Sequence, residues 1–288
     1  MKQRILVTGA NGTTGREVIT ALHHRGVTGI VAAGSNAERT AAAFSGMASA
    51  VRLDLTDPAT YDAALDGITK IYLMRPPAIS DVQRHVAPFI TRAAERGVSH
   101  IVFLSLQGVE HNHIVPHYRI EQNILASGVD YTFLRPSFFM QNLATTHRDD
   151  IRTHGTIVVP AGSGKTNFID VRDIAEAAAI AFTEDGHRNT AYELTGSEAL
   201  DYETVAAILS DACGKKIVYT SPSIPAFFFH ELRRHTPVPF ILVMIMLYTV
   251  ARSGKAAGTT DTVRKLLKRD PITFSQFAHD YRHVWVDG

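Results

Sequence analysis

Ile5-Leu6-Val7-Thr8-Gly9-Ala10-Asn11-Gly12-Thr13-Thr14-Gly15 decides how this chain is read. An apolar run is followed by three glycines at a three-residue spacing, and a helix-like segment from Arg16 to Arg25 ends at Gly26. The pattern is strand, tight turn, helix. The first glycine lets the backbone turn through angles barred to other residues. The second lets a pyrophosphate approach the backbone, and the third lets the helix pack closely on the strand. The first helical turn then presents unpaired N–H groups and a partial positive charge to phosphates. The spacing is G-x-x-G-x-x-G rather than G-x-G-x-x-G, so the motif takes its weight from lying between a strand and a helix. A tight turn that holds no ligand is the plain alternative.

Outward from that turn, strand and helix patterns alternate through the first half. Strands are expected at 4–8, 29–33, 50–53, 70–74, 100–104 and 131–135, with helices at 12–25, 37–44, 58–65, 80–96 and 116–127. Several of the strands are continuous apolar runs, as strands buried on both faces are. The expected fold is α/β, a Rossmann-type doubly wound parallel sheet with a smaller, mostly helical C-terminal substrate lobe. The dinucleotide-binding domain is expected over 1–155, with 165–195 returning to it, and the lobe over 196–288.

Composition narrows the classes. The 288 residues are 45% hydrophobic and carry a net charge of +1, with no basic block to attract nucleic acid. Cys213 is the only cysteine, which rules out an intrachain disulfide and points to a reducing, cytoplasmic setting. With the dinucleotide strand so near the start, no cleaved signal peptide is expected. The longest apolar run, 240–251, falls short of the roughly twenty residues that span a bilayer. It reads as a buried helix, a pocket lid or a dimer face, and no membrane partner is expected.

Further motifs carry a resemblance. They are the nucleotide turn, Leu73-Met74-Arg75-Pro76-Pro77, His117-x-x-x-Glu121, the run Ser127 to Pro136, Phe139-Met140-Gln141-Asn142, and Ile169 to Ala175. Pro271, Thr273, Phe274, Phe277 and Trp285 fit the same pattern in the tail. With these the chain resembles the NmrA-like branch of the atypical short-chain dehydrogenases/reductases, nearest in pattern to NAD(P)H-dependent quinone and azo-dye reductases. The resemblance spans nearly the whole chain and implies fold and family, not substrate. It implies cofactor contacts at Thr8, Gly9, Asn11, Gly12, Thr13, Thr14 and Gly15, at Met74, Arg75 and Pro76, and at Ser105, Pro136 and Phe138. Asp54 resembles the residue that bonds the adenine amino group, with Leu55 beside it; a turn-capping carboxylate is the other reading of Asp54. Phe139, Asn142 and Phe228 are the candidate acceptor-side residues.

The second strand ends Ala32-Ala33-Gly34-Ser35-Asn36, without the acid that bonds the ribose of NAD. Ser35 and Asn36 offer hydrogen bonds and Arg39 lies one turn on, which favours NADP and leaves NAD open. Relatives often carry a basic residue where this chain has Gly34.

Typical short-chain dehydrogenases pair a serine with Tyr-x-x-x-Lys. Ser105 and Tyr118 have a matching separation, yet the position four after Tyr118 is Gln122. Counting back from Ser127-Gly128 instead places His117 at the lysine position. Neither alignment restores the triad, so the chain is poorly equipped to deprotonate a plain alcohol. A quinone, azo dye or conjugated imine needs mainly orientation and stabilisation of developing charge. Tyr118, His117 or solvent is the expected proton source, with pairing to Glu121 as the plain reading of His117. The expected activity is reduction of such an acceptor by NAD(P)H, in a monomer or homodimer. A non-enzymatic dinucleotide sensor is the alternative, since the family includes the transcription regulator NmrA. Gly162-Ser163-Gly164-Lys165-Thr166 imitates a phosphate loop without its first glycine, and reads as a hairpin loop. His111, His113 and His117 match no metal spacing, and no metal is expected.

Overall fold

Ile5–Val7 forms β1, buried on both faces near the middle of a seven-stranded parallel sheet. On one side lie β2 (Ile30–Gly34) and β3 (Ser49–Arg52). On the other lie β4 (Lys70–Leu73), β5 (His100–Leu104), β6 (Asp130–Pro136) and, at the edge, β10 (Thr190–Leu194). After β3 the chain returns to the far side of β1, so the strand order reverses between β1 and β4. That reversal opens a crevice at the carboxyl ends of the strands, where ligands of such sheets bind.

Helices cover both faces. The first unit carries α1 (Thr13–His24), α2 (Ala37–Ala43), α3 (Tyr61–Ala64), α4 (Val82–His85), α5 (Ala87–Glu95), α6 (Pro116–Ala126) and α7 (Val171–Thr183). On one face α1 packs against α7, whose buried alanines at 175, 177, 178 and 179 permit close approach. On the other, Tyr61, Phe89, Ile120 and Ile124 join Leu6, Ile71 and Phe103 in one apolar core. The single helix expected over 80–96 is two helices. Pro88 fixes its own φ and has no N–H to give, so a new helix starts around it and the chain bends at Val86.

The computed structural model describes residues 3–286. They divide into two units, 3–136 with Val171–Leu194, and Ser137–Asp170 with 195–286. The expected boundary at 155 moves to Pro136 because Met140, Leu143 and Ile151 belong to the second apolar core, with Ile157, Phe227, Phe274 and Trp285. The return to the first unit runs over 171–194 rather than 165–195, since Thr166–Ile169 pairs inside the second unit.

That unit contains β7 (Phe138–Phe139), β9 (Thr166–Ile169) and β11 (Ala199–Leu200) in one small sheet, and β8 (Thr156–Val158) with β12 (Val218–Thr220) in another. Its helices are α8 (Tyr202–Cys213), α9 (Ile224–Arg233), α10 (Val238–Arg252), α11 (Thr262–Leu267) and α12 (Phe274–Tyr281). Asn167, fully buried, joins its parts. Its amide donates to the carbonyls of Gly196 and Glu198 (both 3.1 Å), and its oxygen accepts from Ser137 Oγ (2.9 Å) and Gly196 N (2.8 Å). The segment at 162–166 is a loop but not a hairpin, since β8 and β9 pair with different strands. A side chain at Gly164 would collide with the backbone of α10 at Ala251, so this loop is packed shut rather than open to a phosphate.

Candidate functional site

The nucleotide turn has the closeness its glycines foretell. Gly9 has φ +60, and a side chain there would run into Met74. One at Gly15 would collide with the Gly9 carbonyl, so α1 touches the end of β1 directly. Gly12 precedes α1 with no side-chain cap, and the first turn holds no acid. The N–H groups of that turn are therefore left for an anion. This uncapped, glycine-floored turn fits a pyrophosphate.

At the end of β2, Ser35, Asn36 and Arg39 are exposed. Asn36 Oδ1 accepts from Arg39 N (2.8 Å) and caps α2, leaving its amide for other partners. Arg39 makes no ion pair among the described residues. Asn11 Nδ2 donates to Thr40 Oγ1 (2.7 Å), which in turn donates to the Asn36 carbonyl (2.7 Å). A side chain at Gly34 would strike both Thr40 Oγ1 and Asn11 Nδ2. A basic side chain at this position would have no room beside this bond, and exposed Arg39 lies one helical turn on. Asp54 Oδ1 accepts from Thr56 N (2.9 Å) and Oγ1 (2.7 Å), and these bonds hold its carboxyl below the usual range. That is the turn-capping geometry, with Oδ2 free of the Thr56 bonds. Leu55 is a core residue whose carbonyl accepts from Tyr61 (2.7 Å).

Between β1 and β4, buried Thr8 accepts from Met74 N (2.8 Å) and fastens the two strand ends together. Arg75 Nη1 donates to the carbonyls of Pro76 (3.0 Å), Pro77 (3.1 Å) and Ile79 (2.6 Å), which ties the loop after β4 into a fixed shape. Burial lowers its pKa.

The serine of the supposed triad has another partner. Ser105 Oγ donates to Glu121 Oε1 at 2.6 Å. Arg135 donates to both oxygens of the same carboxylate (3.1 and 2.7 Å) and pairs also with Glu110 (3.0 Å). Glu121 is 2% exposed, so this is a buried charge satisfied on every side. Sequence reading offered Glu121 only as a partner for His117. The structure corrects that: Glu121 serves Ser105 and Arg135, and the His117 ring makes no hydrogen bond among the described residues. The available clue was an acid on the helix face set by Ile120 and Ile124.

His117 lies on α6 with its ring 6.0 Å from that of Phe103. Burial, then the nearby Arg75 charge, pushes its pKa down to about 3. Both effects favour the neutral imidazole over the imidazolium. Tyr118 is half-buried and stacks on His113 at 4.3 Å between ring centres. Gln122 is exposed, and no lysine takes the triad position.

The second unit holds the remaining candidates. Phe138 packs on its core, and β7 pairs with β9. Phe139 and Phe228 are half-buried, while Asn142 is exposed with its carbonyl accepting from His147 N (3.1 Å). Atoms of Asp150, His230 and Glu231 gather within 4.8 Å of one another, as metal ligands would. Arg234 already stands on Asp150 as the neutralising cation, so the cluster reads as an ion-pair network.

A parallel sheet that reverses at β1 and β4, with an uncapped glycine turn at the reversal, defines a dinucleotide-binding protein of the Rossmann class. The chain belongs to the NmrA-like family, whose model matches residues 1–278. It is 35% identical over 278 residues to the NAD(P)H azoreductase of Xenophilus azovorans, covering 95% of this chain and 96% of that one. The triphenylmethane reductase of Citrobacter sp., solved with NADP(H), matches with a TM-score of 0.83 at 26% identity, over 96% of this chain and 99% of the other. The NADPH-dependent quinone oxidoreductase QOR2 of Escherichia coli, solved with NADPH, gives 0.82 at 26%, over 96% and 99%. Fold, turn and relatives together make this an NAD(P)H-dependent oxidoreductase.

Proposed function

We propose that the protein reduces flat, electron-poor acceptors, of the quinone, azo-dye or conjugated-imine kind, at the expense of NADPH. The observation that carries this is an intact nucleotide turn beside a serine whose proton is spent on Glu121. Bound NADPH would supply the hydride. The first turn of α1 would hold its pyrophosphate, and Arg39, with Ser35, its 2′-phosphate. Arg75 fixes the loop after β4 along the crevice. Ser105 gives its proton to Glu121, and burial favours neutral His117, so Tyr118 or solvent is the proton source proposed here. Such a site suits acceptors that take a hydride without prior protonation. The reductase names of the relatives, one of them acting on azo dyes and another on quinones, support the same reading.

The test is oxidation of NADPH and of NADH, followed near 340 nm, with a panel of quinones, azo dyes and simple ketones. Turnover with the first two groups and none with ketones is expected, faster with NADPH. Tight NADPH binding with no turnover on any acceptor would replace this proposal with the sensor reading.

A further inference from the structure

Helix α10 is apolar on every side: Val238–Arg252 reads VPFILVMIMLYTVAR, with its first charge at the last residue. One face, Ile241, Met244, Tyr248 and Ala251, is buried, the last three of them in the second core. The opposite face is bare. Leu242 is 55% exposed, and Val243, Met246 and Val250 lie along the same stripe. Phe229 (57%) and Leu232 of α9 are exposed as well. A soluble monomer rarely leaves so many large apolar side chains uncovered on one helical pair without a use for them.

The charges around this face are of one sign. From Ser223 to Gly258 the only acid is Glu231, which is buried. Arg233 and His235 stand at the turn between the helices, and Arg252 and Lys255 at the far end of α10; all four are exposed. Arg233, Arg252 and Lys255 have no ion pair among the described residues. A second copy of this chain is a poor occupant. Two-fold packing of α10 on α10, whichever way the helices run, sets cation beside cation with no carboxylate to meet them. An apolar stripe about 22 Å long with free cations at both ends matches instead a helix lying in the plane of an anionic bilayer.

We propose that the α9–α10 pair docks this protein on the surface of membranes containing anionic lipid, its apolar stripe in the acyl boundary and its cations among the headgroups. Among the described residues no helix is long and apolar enough to cross a membrane. The contact is therefore peripheral, and it revises the expectation of no membrane partner. The proposal does not depend on the reductase reading.

Flotation of the full chain with vesicles of phosphatidylcholine alone, and of phosphatidylcholine with phosphatidylglycerol, tests it. Binding to the anionic vesicles, weakened by salt, is expected. Arg233→Gln, Arg252→Gln and Lys255→Gln should each weaken it roughly fivefold. Leu242→Glu with Met246→Glu should abolish it while melting temperature and NADPH binding stay as in the parent, since both side chains are exposed. Absence of the parent protein from the floated anionic vesicles would overturn the proposal. So would a dimer in analytical ultracentrifugation that Leu242→Glu splits, because the stripe would then be covered by a second copy.

Discussion

Glu121 shows how one buried charge can redirect a catalytic-looking neighbour. Its oxygens take Ser105 and the Nε and Nη2 of Arg135, so removing its charge leaves a partly buried guanidinium with only the more exposed Glu110 as a charged partner. Glu121→Gln should cost about 3 kcal/mol in urea unfolding; a loss under about 1 kcal/mol would mean the pair contributes little. Ser105→Ala removes a single hydrogen bond and should cost about 1 kcal/mol, with kcat for a quinone kept within about threefold. Abolished turnover in that variant would return the serine to the reaction. Arg39 carries the opposite expectation. Arg39→Ala should raise KM for NADPH on the order of tenfold while leaving NADH unaffected, and equal effects on the two cofactors would assign the 2′-phosphate to another residue.

At the scale of elements, the β1–α1 turn was legible because every determinant is local: an apolar run, three glycines and a helix start. Gly15→Ala tests its closeness. The added methyl meets the Gly9 carbonyl, so α1 must shift away from β1, and a stability loss of about 2 kcal/mol with weakened NADPH binding is expected. Unchanged binding by fluorescence titration would show that the turn has slack. The six strands expected in the first half all form; five are largely buried runs, whereas β3, at the sheet edge, has no buried residue. Two-residue strands such as β7 and β11 leave no periodicity to read. The Ser105–Glu121–Arg135 group was hidden for a different reason. Its members come from the residue after β5, from α6 and from β6, and only the lateral pairing of β5 with β6 brings them together.

For the whole molecule, histidines set an acid limit. His100 and His147 are each 1% exposed, and burial pushes both down to about 4. Above the ordinary histidine value near 6.5 folded and unfolded chains are alike neutral at these sites. As pH falls below it the unfolded chain gains protons that the folded chain refuses until about pH 4. Each histidine then erodes stability by up to ~1.4 kcal/mol per pH unit. One lies in each unit, so both should weaken together. Urea midpoints should drop steadily below the ordinary histidine value; midpoints that stay level down to pH 4 would show that these rings take up protons without unfolding.

The chain crosses between its units three times, leaving the sheet unit twice, and this bears on how a ribosome delivers it. The parallel sheet cannot be finished when β6 emerges, because its edge partner β10 is translated only after the whole stretch from Ser137 to Asp170. Until then the nascent sheet shows an open edge, the kind of surface that invites mispairing. Asn167 reaches both Ser137, at the first exit from the sheet unit, and Gly196, just past the second. It acts as a knot drawn tight last: the bond to Ser137 can form early, and the one to Gly196 only once β10 has been made. Synthesis order is thereby written into the closing of a single buried amide.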